Sequence, residues 1–172
     1  MQNAERLFRE YHATLVRYLT RRLGDRDWAE EVAQETFVRA LRQKEIVNER
    51  SWLFAVATNL VRDEARRVAR QRRHLELMAA EARDLEQGEE PLTLERAQSA
   101  SDARRALAAL AERDRQALLL KEEGLDYREI AAVLDIETTS VGTTLSRARR
   151  RLAEHYEAIQ AERREREKHA AS

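Results

Sequence analysis

The chain predicts an all-α fold: two small helical domains joined by an acidic linker, the C-terminal one containing a helix-turn-helix. Three observations lead there. Four Gly and one Pro in 172 residues leave little turn chemistry, and 37% charged residues beside abundant Ala, Leu, Glu and Arg favour helix. Apolar residues recur at helical spacing in two separate blocks. Between the blocks the composition turns acidic, and Gly88 and Pro91 fall close enough together to stop a helix. The length suits one average domain or two small ones.

Leu7, Phe8, Tyr11, Leu15, Tyr18 and Leu19 define a first helix over about 4–23, with Gly24 in the place of a C-terminal cap. Asp27 precedes Trp28-Ala29-Glu30, a capping-box spacing for a second helix. That helix turns Ala29, Val32, Ala33, Thr36, Phe37, Ala40 and Leu41 inward and shows Glu30, Glu31, Gln34, Glu35 and Arg39 outward. Residues 43–50 are polar and aperiodic, a loop. Ser51 is placed to cap a third helix that opens with Trp52-Leu53-Phe54, continues through Ala57, Leu60, Val61 and Val68, and becomes basic at Arg62, Arg66, Arg67, Arg70, Arg72 and Arg73. Asp102 opens the second block, with Ala106, Leu107 and Leu110, then Ala117, Leu118 and Leu120, stopped by Gly124. Tyr127 to Arg151 holds two short amphipathic segments across a tight break: Ile130, Ala131 and Leu134 before it, Ile136 in it, Val141 and Leu145 after it. That is the pattern of a helix-turn-helix. The polar tail beyond it extends the last helix and frays over its final dozen residues.

Net charge is zero, but it is unevenly spread. Residues 1–73 carry 16 basic and 11 acidic side chains, residues 74–101 carry 2 and 7, and residues 102–152 carry 10 and 9. A basic block, an acidic connector and a locally basic last helix favour nucleic-acid contact at the two ends.

Enzyme chemistry finds no footing. Zero Cys removes disulfides, thiolate zinc sites and cysteine nucleophiles together. His12, His74, His155 and His169 are scattered, none at a ligand spacing, and there is no glycine-rich phosphate loop or GxSxG elbow. Glu30, Glu31 and Glu35 share a helix with no His nearby, which reads as a partner-facing acidic surface. No catalysis, cofactor or metal is expected. No apolar run is long enough for membrane insertion, and the charged start MQNAERLFRE is unlike a secretory signal, so the expected location is cytoplasmic.

The motifs also resemble a family. AEEVAQETFVRAL (29–41), SWLFAVATNLVRDEARR (51–67) and ERDRQALLLKEEGLDYREIAAVLDIETTSVGTTLSRARRRL (112–152) are similar, in that order, to extracytoplasmic-function (ECF) sigma factors, the smallest members of the sigma-70 family. The resemblance implies a first domain (1–73), an acidic interdomain linker (74–101), a second domain (102–155) and a polar tail (156–172). It implies that Glu30, Glu31, Gln34, Glu35, Phe37 and Arg39 face the clamp helices of the polymerase beta-prime subunit. Asn59, Arg62, Asp63, Arg66 and Arg67 would read and melt the minus-ten element, and Thr138, Thr139, Ser140, Thr143, Thr144, Arg147, Arg149 and Arg150 would contact the minus-thirty-five element. The implied partners are core RNA polymerase, through its beta-prime clamp helices and beta flap, promoter DNA and an anti-sigma factor.

Physical reasoning runs parallel to the resemblance. Melting extrudes bases and needs a pocket to receive them, which the loop at 43–50 beside Trp52 and Phe54 is placed to form. Asn59 suits a base edge, the nearby arginines suit phosphates, and Asp63 suits the orienting of one of them. The resemblance further implies that the linker threads a positively lined polymerase channel, which its carboxylates suit; the alternative is a plain solvated linker. One departure from the family is the turn, where Asp135 stands in place of the usual Gly; Asp tolerates the left-handed conformation. The other is the reading helix, which offers hydroxyls first and arginines only from Arg147, so it is expected to anchor more than it discriminates. The rival reading is a stand-alone helix-turn-helix regulator binding operator DNA as a dimer. It requires a dimer face matched to half-sites, and no long heptad is visible.

Overall fold

A computed structural model of the chain describes residues 2–75 and 94–170. Within them are helices α1 (Gln2–Leu23), α2 (Arg26–Leu41), α3 (Glu49–Leu75), α4 (Leu94–Ala108), α5 (Glu112–Glu122), α6 (Tyr127–Leu134) and α7 (Thr138–Ala170). No strand occurs among the described residues, as the composition predicts. Most of the expected linker lies outside the described residues; its last part, 94–101, is the first half of α4.

Helices α1, α2 and α3 pack on one another as one bundle, and α4, α5, α6 and α7 as a second. In the first, Leu15, Tyr18, Leu19, Ala29, Ala33, Leu53, Phe54 and Ala57 are fully enclosed. The rings of Tyr18 and Phe54 meet at 5.1 Å and 55°, and the Tyr18 hydroxyl lies 3.3 Å from Thr58 Oγ1, so its polar end is satisfied inside the core. In the second bundle Leu120, Leu125, Ile130, Val141 and Leu145 are enclosed.

Chain reversals are made by specific residues. Gly24 closes α1 at φ 71°, a conformation that favours glycine. Asp25, not Asp27, caps α2, its carboxylate accepting from the Trp28 N–H at 3.0 Å. Ser51 does not cap α3. That helix starts two residues earlier, and Ser51 donates to the Asn48 carbonyl at 3.3 Å. Gly124 ends the turn after α5 at φ 83°. Asp126 and Glu129 form a reciprocal capping box at the start of α6. Asp135 takes the left-handed conformation (φ 54°, ψ 55°) and turns the chain into α7.

Other expectations are corrected. Leu41 is 60% exposed, although periodicity set it inward, and Phe8 on the apolar stripe of α1 is 44% exposed. Asp102 does not open the second block; it is buried inside α4. The final dozen residues are expected to fray, but α7 continues as helix to Ala170. Arg163 lies 3.2 Å from Asp102 and Arg105 lies 3.9 Å from Glu162, so the extension is tied back to α4.

The two bundles touch through α1 on α5 and α3 on α6. Their buried apolar residues form one connected set, and ion pairs cross the junction. Arg17 Nε donates to both oxygens of Glu123 at 3.0 and 3.1 Å. Arg21 reaches Glu122 at 2.6 Å, Arg22 reaches Glu112 at 2.7 Å, and Arg50 reaches Glu129 at 2.9 Å. The Arg22 and Glu123 side chains are 1% and 2% exposed.

Candidate polymerase-binding and nucleic-acid interfaces

The first candidate surface is the outer side of α2. Glu31, Gln34, Glu35 and Arg39 are exposed there and Glu30 is half-buried. Arg39 donates to Glu35 at 2.8 Å, one turn apart, which spreads the carboxylates and a cation along a single stripe. Phe37 is buried, as its place on the inward face of α2 predicts and unlike the partner-facing role the resemblance implies, and Phe8 lies over it with centroids 5.1 Å apart. His12 stacks on Phe8 at 4.3 Å, and its Nε2 is 3.2 Å from Glu30. The exposed aromatic on this side is therefore Phe8, with Val38 (40% exposed) and Leu41 beside the acidic stripe. Sequence periodicity set Leu41 inward, because it locates an apolar stripe but not its edge.

The second surface is α3. Asn59, Arg62, Asp63, Arg66 and Arg67 are all exposed, and their spacing brings them to one side of the helix. Asp63 is 4.0 Å from Arg66, and Glu64 holds Arg67 at 2.9 Å. Arg67 holds the half-buried Glu64 carboxyl below its ordinary range by that hydrogen bond. Arg62 lies one turn before these two paired arginines. In the preceding loop Val47 is 96% exposed, an apolar side chain offered wholly to solvent, while Ile46 packs on the core.

The third surface is the start of α7. Thr138, Thr139, Ser140 and Thr143 are exposed, as are Arg149 and Arg150. Thr144 is buried, so among the residues set down for reading it packs inward, one turn after the core residue Val141. Arg147 is half-buried and bound to Asp114 of α5. Its Nε is 3.2 Å from each carboxylate oxygen, its Nη2 2.5 Å from Oδ1, and Arg151 Nη1 adds a bond of 3.1 Å to Oδ2. The Asp114 side chain is 1% exposed. Its pKa is held below the ordinary carboxylate value, first by the Arg147 hydrogen bond and against the opposing effect of burial. Asp114 did not stand out in the sequence, since an acidic residue in the first turn of a helix has a sufficient local reason to be there.

A recess of about 550 Å³ opens at this end, lined by Arg113, Asp135, Glu137, Ser140, Thr144 and Arg147. A larger groove of about 1290 Å³ lies between the end of α1 and helices α4, α5 and α7, with Leu107, Leu118, Leu152 and Tyr156 on its walls. Among the described residues no cluster of His, Cys, Asp and Glu could hold a metal ion, and no helix is long and apolar enough to cross a membrane.

A bundle with an exposed polar-basic helix, joined to a second bundle with a capped helix-turn-helix, defines a DNA-binding protein of two units. Comparison with known proteins makes the class specific. The model of Sigma-70 region 2 matches residues 7–73, and that of Sigma-70, region 4 matches residues 101–152. The chain is 30% identical over 151 residues to the RNA polymerase sigma factor YlaC of Bacillus subtilis, covering 84% of this chain and 87% of that one. It is 30% identical over 152 residues to the ferric citrate uptake sigma factor FecI of Escherichia coli, covering 84% and 85%. A shorter match, 43% over 65 residues, spans 35% of this chain and 37% of the ECF sigma factor SigL of Mycobacterium tuberculosis. Among solved structures, the sigma factor RpoE in complex with the anti-sigma factor NepR from Bartonella quintana aligns with a TM-score of 0.73. At 21% identity, over 91% of this chain and 98% of that one, the likeness is one of fold. The chain belongs to the sigma-70 family, in its extracytoplasmic-function group.

Proposed function

We propose that this chain is an alternative sigma factor that binds core RNA polymerase through α2 and reads two promoter elements with its two bundles. The observation that carries the reading is the presence, in one chain, of two exposed DNA-suited faces, one on α3 of the first bundle and one on α7 of the second. On α3, Asn59 supplies a base-edge contact to the minus-ten element, and Arg62, Arg66 and Arg67 supply phosphate contacts. Asp63 orients Arg66. On α7, Thr138, Thr139, Ser140 and Thr143 meet the minus-thirty-five element while Arg149 and Arg150 hold the backbone. Glu30, Glu31, Gln34, Glu35 and Arg39, with Phe8 over Phe37, meet the polymerase clamp helices, and the large apolar groove is suited to the beta flap. The polymerase performs the chemistry; this chain contributes recognition, and it works in the cytoplasm with the polymerase. An anti-sigma factor is the expected regulator, by analogy with the RpoE–NepR complex.

Runoff transcription tests the reading. Core polymerase plus this chain should initiate at discrete sites on a genomic template, and neither should do so alone. Tight binding of the free chain to duplex operator, with no effect on core polymerase, identifies instead a stand-alone helix-turn-helix regulator.

A further inference from the structure

The arginines of α7 do not form one class. Arg149 and Arg150 are exposed, and Arg150 has only a loose partner in Glu154 at 3.8 Å. Arg147 and Arg151 converge from successive turns on one buried carboxylate, Asp114, which sits on a different helix. Side chains on a helix lean toward its N-terminus, and Arg147 does so here. Its side chain lines the recess at the start of α7 together with Ser140 and Glu137. The guanidinium that the sequence sets seven residues behind Ser140 is thereby returned to the reading end of the helix. The recess carries Arg113 and Arg147 against Asp135 and Glu137, so it holds balanced charge with donors and acceptors side by side. A phosphate is poorly served by such a lining; the edge of a base pair, which itself presents donors and acceptors, is well served.

We propose that Asp114 is a positioning residue that sets the sequence preference of the C-terminal unit: it holds Arg147 at the recess as a base-edge contact and keeps it off the phosphate backbone. The proposal rests on the reading of α7 as the DNA-contacting helix. The shared carboxylate offsets one of the two positive charges at this spot, so affinity for arbitrary DNA is lowered while a fixed fork of N–H donors remains to recognise a particular base pair. The threonine-rich start of α7 then discriminates through a residue that lies a full two turns further along the chain.

The experiment uses the full chain and two probes: sonicated mixed-sequence duplex DNA for the free protein, and selection from a randomised upstream duplex by the reconstituted holoenzyme. Each free phosphate contact contributes about 0.9 to the slope of log affinity against log salt concentration. Arg149→Gln is expected to reduce that slope by about 0.9. Arg147→Gln is expected to leave the slope within error but to flatten the selected sequence at one or two positions. Asp114→Asn releases the pair, so the slope should steepen by about one contact and the selected sequence should flatten, while Asp114→Glu restores part of the preference. A slope loss in Arg147→Gln equal to that in Arg149→Gln makes Arg147 an ordinary phosphate ligand and overturns the proposal. So does full retention of sequence preference in both Arg147→Gln and Asp114→Asn. Because Arg147 is half-exposed, its variant remains informative even if Asp114→Asn does not fold. If the wild-type holoenzyme itself selects no upstream sequence, the minus-thirty-five reading fails, which is a separate result.

Discussion

At the scale of single residues, Asp114 also governs how the C-terminal bundle responds to acid. Its carboxyl and that of Glu112 are both held below their ordinary values, each first by a hydrogen bond from an arginine. A carboxyl with a depressed folded pKa binds fewer protons folded than unfolded, so its contribution is present above the unfolded value and is lost as pH falls through the folded one. The thermal midpoint should therefore drop on acidification below about pH 4, near the unfolded carboxylate values. Asp114→Asn should show a shallower acid limb, measured by circular dichroism melts; an unchanged limb would mean that the pair contributes nothing to folding. The same residue shows where sequence reading stops. Asp114 and Arg147 are 33 positions apart, and no periodicity within either helix links them. Gly24 and Asp135, by contrast, were legible because their role is local: a left-handed backbone that only a few residue types accept.

At the scale of elements, α6 is only eight residues long, too short to hold as an isolated helix, and depends on its ends and its packing. The Asp126 carboxylate accepts from the Glu129 N–H at 2.9 Å, and Glu129 returns a bond to the Asp126 N–H at 2.8 Å. Asp126→Ala should lower the stability of the second bundle by about 1 kcal/mol in chemical denaturation, as N-cap removal does elsewhere. Glu129 has a second duty to Arg50, so Glu129→Ala should cost more and also loosen the junction. Element existence was readable throughout, because stripes such as Ile130, Ala131 and Leu134 repeat at helical spacing. Element edges were not. Asp25, Asp27 and Ser51 are all competent caps, and which one acts depends on where the chain leaves the preceding helix. The face of α1 was likewise only partly legible: Phe8 belongs to the apolar stripe, yet Phe37 takes the covered place beneath it.

At the scale of the whole molecule, the two bundles are joined by arginines of α1 and α3 facing carboxylates of α5 and α6. Several of these groups are enclosed, so removing one partner strands a buried charge, whereas separating the bundles returns both to water. Arg17→Glu should expand the free chain, and pairing it with Glu123→Arg should restore compactness, read as radius of gyration by small-angle X-ray scattering. A compact chain of this length is expected near 16 Å. No change in either variant would show that apolar contact alone joins the bundles.

Those ion pairs set a limit on reach. Positions minus ten and minus thirty-five lie about 85 Å apart on B-DNA at ~3.4 Å per base pair, roughly twice the width of a compact chain with that radius. On the proposed reading the closed molecule is too short for its own promoter and has to part along this seam before both elements are engaged. Salt then acts in opposition on the two steps. It weakens the grip on phosphates and also screens the pairs that keep the chain shut, so on the same reading runoff transcription titrated with salt should pass through a maximum at intermediate ionic strength; a steady decline from the lowest salt would show that the pairs do not hold the chain shut.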